Sequence, residues 1–570
     1  MQTKRGVRMK KTCQKLYTEA GKTLSDVPWE RYPRPQMVRA AWLCLNGTWE
    51  FAFGETRTKI RVPFCPESLL SGIKDAPAIG QEMTYRRTFA VPRTWQDKRV
   101  LLHFGAVMRK TTVYVNGTKV CEHENGYLPF WTDITDALNG GENELVVRVV
   151  NDLDPRFPWG KQKVKRGGMW YTPCSGIWQS VWLEPVPERA ITTLRIRNGL
   201  DWVEIAADGV SDGEIELDGR RVPLTDGRAR ITFDAPHLWT PEDPHLYRFT
   251  VLSGEDRVES YFALRTLSTE TVDGVPRLLL NGRPYFFNGL LDQGYWSDGL
   301  YTPATPDGFE TDIRAMKALG FNTLRKHIKV EPEQFYYDCD RLGMVVFQDM
   351  VNSGRYRFLR DTVLPTIRLQ SIKDMHLNRD PETRRIFLES MEATVKHLQN
   401  HPCICLWTIF NEGWGQFSAD AAYDRLKTLD PTRFVDSTSG WFHQKKSDVD
   451  SLHIYFAALH LGNEPLPQLL SEFGGYVWKI PEHSFNTEKT YGYRKFETRE
   501  VFIDGLRALY GSLIPLAAQG LCGAICTQVS DVEDETNGLF TFDRAVLKVR
   551  PEELKDLSQT IRRAAEGSSE

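Results

Sequence analysis

Leu406-Trp407-Thr408-Ile409-Phe410-Asn411-Glu412-Gly413-Trp414-Gly415 is an apolar run of strand length that stops at Asn-Glu-Gly. A continuous apolar run closed by a glycine-containing turn reads as a strand buried on both faces, as in a parallel sheet. A carboxylate ending such a strand lies at the C-terminal rim, where α/β barrels hold their chemistry. The pattern recurs at Pro467-Gln468-Leu469-Leu470-Ser471-Glu472-Phe473-Gly474-Gly475. A single glutamate so placed is most simply a strand cap or an arginine partner. Two of them, the first preceded by an asparagine, supply the acid/base and the nucleophile that cleavage of a glycosidic bond requires.

Around this pair, strand-like and helical runs alternate from residue 265 onward, the signature of βα units. Strands are expected at 285–289, 321–326, 344–349, 403–410, 433–436, 449–455, 468–471 and 523–527. Helices are expected at 307–319, 332–342, 383–400, 419–429, 499–519 and 551–564, the first opened by Pro306 and closed by Gly320. A long loop spans 350–381. The 60 residues between the two glutamates hold three strands only if the helices between the last of these are short or absent. The whole reads as a (β/α)8 TIM barrel over 269–570.

Upstream the period is that of short strands. Arg99-Val-Leu-Leu-His-Phe, Thr112-Val-Tyr-Val-Asn-Gly and Glu144-Leu-Val-Val-Arg-Val-Val, with tight turns at Asn116-Gly117 and Asn139-Gly140-Gly141, predict a jelly-roll β-sandwich over 30–186. Alternation continues over 187–268 at the length of an immunoglobulin-like sandwich. Residues 1–29 read as a mobile N-terminal arm that becomes ordered by Trp29. The arm is basic (Lys4, Arg5, Arg8, Lys10, Lys11) but lacks the apolar core of a secretory signal.

Composition bounds the partners. A net charge of −3 over 570 residues argues against nucleic acid. No run of eighteen apolar residues predicts a membrane span. The ten cysteines are scattered without metal-ligand spacing, so no metal or cofactor is expected, and reduced thiols in a cytoplasmic setting are. Sixteen tryptophans provide flat faces suited to stacking on sugar rings or to core packing.

The jelly-roll segment resembles the sugar-binding domain of glycoside hydrolase family 2. The resemblance rests on Leu45-Asn-Gly-Thr-Trp-Glu-Phe51, Tyr85-Arg-Arg-Thr-Phe89, Phe104-Gly-Ala-Val107, Val113-Tyr-Val-Asn-Gly117 and Ser175-Gly-Ile-Trp-Gln-Ser-Val-Trp-Leu183. His237-Leu-Trp-Thr-Pro-Glu-Asp-Pro-His-Leu-Tyr247 resembles the linker of the family's second sandwich, and the barrel resembles its catalytic domain, over about 30–565 in all. The resemblance implies a retaining exo-β-glycosidase with Glu412 as acid/base and Glu472 as nucleophile. It implies Asn411 on the sugar 2-hydroxyl, Tyr455 donating to the nucleophile, and Arg325 either beside Glu472 or in a barrel-floor ion pair. His327 falls one place early for the family's sugar-binding histidine.

Other positions leave alternatives. Asp292 either binds outer hydroxyls or caps a turn. Trp414 and Trp478, just past the glutamates, are candidate stacking platforms. Trp170 stands where some members carry an aspartate, and either walls the sugar pocket or packs between domains. Arg355 and Arg357, with Arg360 and Arg368, either hold a uronic-acid carboxylate or form a solvated basic loop. Leu539 stands where the family's β-glucuronidases carry lysine, which implies a galacto-configured glycone, β-galactoside or β-galacturonide, over β-glucuronide. The partner expected is an oligosaccharide or glycoconjugate, with homo-oligomers through the sandwich domains allowed. A non-catalytic carbohydrate-binding protein on the same scaffold is the reading from another class.

Overall fold

The structure is a computed structural model and describes residues 13–366, 369, 372–463 and 465–566. Eight parallel strands form the barrel: β1 Phe287–Asp292, β2 Thr323–Lys326, β3 Val345–Asp349, β4 Ile404–Asn411, β5 Phe434–Ser439, β6 Asp450–Ile454, β7 Gln468–Gly474 and β8 Leu521–Thr527. Backbone ladders run β5-β4-β3-β2-β1-β8-β7-β6. The remaining seam, β5 to β6, is joined by side chains. Ser451 Oγ donates to Asp436 Oδ1 at 2.9 Å, and Ser439 Oγ lies 3.1 Å from His453 Nε2. All eight residues of β4 are buried, as a parallel strand covered on both faces requires.

Helices cover the barrel: α1 Asp307–Ala318, α2 Glu333–Leu342, α3 Pro381–Leu398, α4 Ala419–Leu429, α5 Arg499–Gly511, α6 Leu513–Gln519 and α7 Pro551–Glu566. Among the described residues no helix separates β5 from β6 or β6 from β7, which is how three strands fit between the glutamates. The single helix expected at 499–519 is broken at Ser512. Pro515 has no N–H to give the Gly511 carbonyl, so the ladder cannot run through. By length and composition Arg499–Gln519 would suffice to cross a membrane, contrary to the expectation from apolar runs. In this fold Phe502, Ile503, Leu506, Tyr510, Leu513 and Ala517 bury its inner face on the barrel.

The jelly roll packs a six-stranded sheet on a four-stranded one around a core that includes Trp49, Phe51, Tyr85, Phe104 and Val147. The second sandwich is a series of seven antiparallel strands between Thr193 and Phe262 around its own core. The N-terminal arm departs from the expectation. From Cys13 onward it lies on the barrel: Gln14 N donates to Phe485 O at 2.7 Å, and Thr18 N and Oγ1 both donate to Asp298 Oδ2 at 2.8 and 2.7 Å. Trp29 Nε1 donates to Pro303 O at 2.8 Å. Lys4, Arg5, Arg8, Lys10 and Lys11 lie outside the described residues, as does Arg368.

One excursion of the jelly roll positions the site. The chain between its strands Glu142–Val150 and Gly176–Ile177 leaves the sandwich and crosses the barrel mouth. Trp159 donates from its backbone to Asn352 O (3.1 Å) and from its indole to Gly354 O (2.9 Å). Thr172 N donates to Glu533 Oε1 at 2.9 Å, and Tyr171 OH donates to Glu535.

Candidate active site

Arg325, at the end of β2, organises the barrel mouth. Its guanidinium is fully buried and every nitrogen is used. Nε donates to Asp349 Oδ1 at 3.0 Å, Nη1 to Ser471 O at 2.9 Å and Glu472 Oε1 at 3.1 Å, and Nη2 to Asn411 Oδ1 at 2.7 Å. One planar fork thus fixes side chains from β3, β4 and β7 together. Tyr455, just past β6, donates from its hydroxyl to Glu472 Oε2 and lies 3.1 Å from Thr527 Oγ1. Burial raises the Glu472 carboxyl, but the His453 ring and the Arg325 guanidinium outweigh it and hold it well below the ordinary glutamate range.

Glu412 enters differently. Its backbone turns into the left-handed region (φ 50), followed by Gly413 at φ 71. Glu412 N donates to Ser439 O and Trp414 N to Asn411 O, each at 2.9 Å, so the turn is pinned from both sides. A side chain here costs about 1–3 kcal/mol of backbone strain, which the fold tolerates to swing the carboxylate across the mouth. His453, of β6, then stands between the two acids. Its Nδ1 is 3.0 Å from Glu412 Oε1 and its Nε2 is 3.7 Å from Glu472 Oε1. One ligand-capable atom from each of Glu412, His453 and Glu472 lies within 4.8 Å of the other two, the only three-ligand metal geometry among the described residues. His453 has no counterpart among the residues expected at the site. Its one sequence signal is its place two residues before Tyr455.

His327 Nδ1 faces Asp349 Oδ2 at 2.7 Å. Burial, reinforced by Lys161, lowers the ring to about 4, so it is neutral at pH 7 and donates from Nδ1, leaving Nε2 as an acceptor. Asp292 is committed to local structure: Oδ1 accepts from Gly294 N (2.9 Å) and Oδ2 from Lys326 Nζ (2.6 Å), the capping alternative.

Trp170 stacks between Trp159 and Trp414, with centroids 5.4 and 5.3 Å apart, so it packs between domains. Trp414 is 2% exposed and is a member of that stack rather than an open platform. Trp478 is not brought to the site. After Gly474-Gly475 the chain turns away, Val477 N bonds Arg494 O, and the Trp478 indole leans on Phe502 of α5. Arg355 and Arg357 stay exposed while Tyr356 between them turns in toward Trp170 and Trp414, at 4.9 and 5.7 Å. Leu539 is buried in the barrel core, so a carboxylate-reading position cannot be sought there. Beside Tyr171 the loop after β8 instead presents Glu535, whose Oε1 accepts from Asn537 Nδ2 at 3.2 Å.

The chain is similar to known proteins along most of its length. The model described as glycosyl hydrolases family 2, sugar binding domain, matches residues 65–187; glycosyl hydrolases family 2 matches 194–265; and the family's TIM barrel domain matches 273–471. A beta-galactosidase of Aeromonas hydrophila is 27% identical over 484 residues, 75% of this chain and 44% of that protein. A beta-glucuronidase of Rattus norvegicus is 26% identical over 403 residues, 62% of this chain and 59% of that one. The chain thus spans less than two thirds of the length of these curated relatives. In fold it resembles the solved beta-D-glucuronidase of Dictyoglomus thermophilum, with TM-score 0.72 and 19% identity over 93% of this chain and 98% of that one. It also resembles a beta-galacturonidase of Eisenbergiella tayi, with TM-score 0.68 and 20% identity over 92% and 98%.

Proposed function

From a chain that belongs to glycosyl hydrolases family 2, we propose a retaining exo-acting β-glycosidase in which Glu472 is the nucleophile and Glu412 the acid/base. The observation that carries it is the spacing of two unequal carboxylates. An oxygen from each lies within 4.8 Å of the other, close to the separation of about 5 Å that serves double displacement. Glu472 is held ionised by His453 and Arg325 and accepts from Tyr455, whereas Glu412 meets His453 on a strained turn and pairs with no arginine or lysine among the described residues.

In the first step a Glu472 oxygen bonds to the anomeric carbon as the bond to the leaving oxygen breaks, and Glu412 gives that oxygen its proton. In the second, Glu412 takes a proton from water, the water oxygen attacks the same carbon, and the glycosyl ester breaks to restore Glu472. Asn411, oriented by Arg325, is placed to bind the 2-hydroxyl. His453 orients Glu412 through the 3.0 Å contact. The glycone we carry forward is galacto-configured, a β-galactoside or β-galacturonide, because Leu539, and not a lysine, follows Asn537-Gly538 in the loop after β8. Unpaired thiols at all ten cysteines support a reducing, cytoplasmic setting.

The test is hydrolysis of a panel of aryl β-glycosides and β-glycuronides, with the anomer released followed by NMR. The expected first product is the β-anomer, and a 2-fluoro glycoside is expected to label Glu472. Release of the α-anomer first would exclude double displacement. Binding of sugars with neither hydrolysis nor labelling would leave a carbohydrate-binding protein.

A further inference from the structure

Lys161 lies on the excursion that the jelly roll sends over the barrel mouth. Its side chain is 7% exposed, unusual for a lysine without a partner. Among the described residues it forms no ion pair and no side-chain hydrogen bond, although every other buried lysine of the barrel is bonded. Lys326 meets Asp292 and Glu331, Lys329 meets Glu331 and two carbonyls, and Lys548 meets Asp531. The ammonium of Lys161 sits instead 5.5 Å from the centroid of Trp414 and 5.9 Å from that of Tyr171. Its positive charge favours the ionised form of Glu472 and of Glu535 and opposes that of His327, so it lies near all three.

A buried cation with only ring faces beside it lacks the anion that would offset its desolvation. The backbone holds it there firmly. Tyr171 N donates to Lys161 O at 3.0 Å, and a Cβ at the preceding Gly160 would lie 2.4 Å from the Tyr127 hydroxyl. From this we infer that Lys161 is the residue that reads a carboxylate on the glycone, and that the substrate is a β-hexuronide whose charged C5 substituent pairs with its ammonium. The inference rests on the glycosidase reading and deepens it. It places the reader of the sugar on the sandwich domain, opposite the barrel residues that break the bond. It also accounts for a carboxylate-binding role that the exposed Arg355 and Arg357 do not fill.

The test compares aryl β-galacturonide and β-glucuronide with the matching β-galactoside and β-glucoside, all with one aglycone. Wild type is expected to favour a uronide. Lys161→Met is expected to lower kcat/KM on the uronide by roughly 10- to 100-fold, the scale of one charge-assisted hydrogen bond in a dry site, and to lower it on the neutral glycoside by a clearly smaller factor. Lys161→Arg is expected to recover part of the loss. Should Lys161→Met not fold, inhibition of wild type by free hexuronic acid against the parent hexose decides, with the acid expected to bind more tightly. Equal losses on both substrates would assign Lys161 to the general field at Glu472 and overturn the inference. Wild type that cleaves neutral β-glycosides but no uronide would overturn it while leaving the glycosidase reading intact. Absence of hydrolysis on the whole panel, with Glu472 unlabelled, would sink that reading itself.

Discussion

At the scale of single residues, the site works by making two like acids unlike. His453 and Arg325 together hold Glu472 down, and removal of Arg325 has a defined sign. Glu472 carries a lowered folded-state value, so its stabilising contribution is complete above the ordinary glutamate value of 4.5 and is lost as pH falls toward about 2. As the proposed nucleophile it is expected to be competent across that range. In Arg325→Met, burial acts with less opposition and the carboxyl rises. The acid limb of the kcat/KM profile is expected to move up by about 1–3 pH units, and a pH-rate series on one aryl glycoside measures it. An unmoved limb would mean that the other groups at Glu472, His453 foremost, hold it ionised without Arg325. Glu412, Glu472 and Asn411 were legible in the sequence because each ends an apolar run. His453 and Lys161 were not: no spacing announces a histidine between two acids, and burial of Lys161 arises only where two domains meet. Trp478 and Leu539 misled for the converse reason, since proximity in sequence to a strand end does not fix which way the next side chain turns.

At the scale of elements, the strand ends carry the chemistry and the turns carry the strain. The turn after β4 places Glu412 and Gly413 in the left-handed region, and a Cβ at Gly413 would stand 2.3 Å from Phe442 Cδ2. Gly413→Ala is therefore expected to destabilise the fold by about 1–3 kcal/mol, read by denaturant unfolding, and to lower kcat by displacing the neighbouring acid. Stability and turnover like those of wild type would show that the turn has room to relax. Strand and helix order was readable because runs of period two and near four alternate cleanly. The break at Ser512 was marked by Pro515, whose missing N–H interrupts α5 and α6. The side-chain seam between β5 and β6 had no such marker, because it depends on Ser451 and Asp436 meeting only once the ring closes.

At the scale of the whole molecule, three cores are tied by buried polar contacts. Arg39 donates from Nε and Nη2 to Asp256 at 2.9 Å each and from Nη1 to Glu184 at 3.2 Å, joining the two sandwiches. Burial lowers the Arg39 guanidinium, but the hydrogen bond and charge of Asp256 outweigh it and raise it. Removing Arg39 leaves the buried Asp256 without its guanidinium, while Glu184 keeps Arg34. Arg39→Met is expected to cost about 3–5 kcal/mol in thermal or denaturant unfolding while kcat/KM of the folded enzyme stays near wild type. A large loss of kcat/KM at full stability would instead show that the contact acts on the site.

The Trp159–Trp170–Trp414 stack joins the excursion of the jelly roll to the turn that carries Glu412. Three indoles at such centroid distances share their excited states, so the near-ultraviolet circular dichroism of the molecule carries a coupled signal from this one place. The Trp170–Trp414 part of that signal is expected to be lost if the sandwich lifts from the barrel, even while both stay folded. The catalytic mouth therefore contains its own optical gauge of whether its borrowed wall is in place.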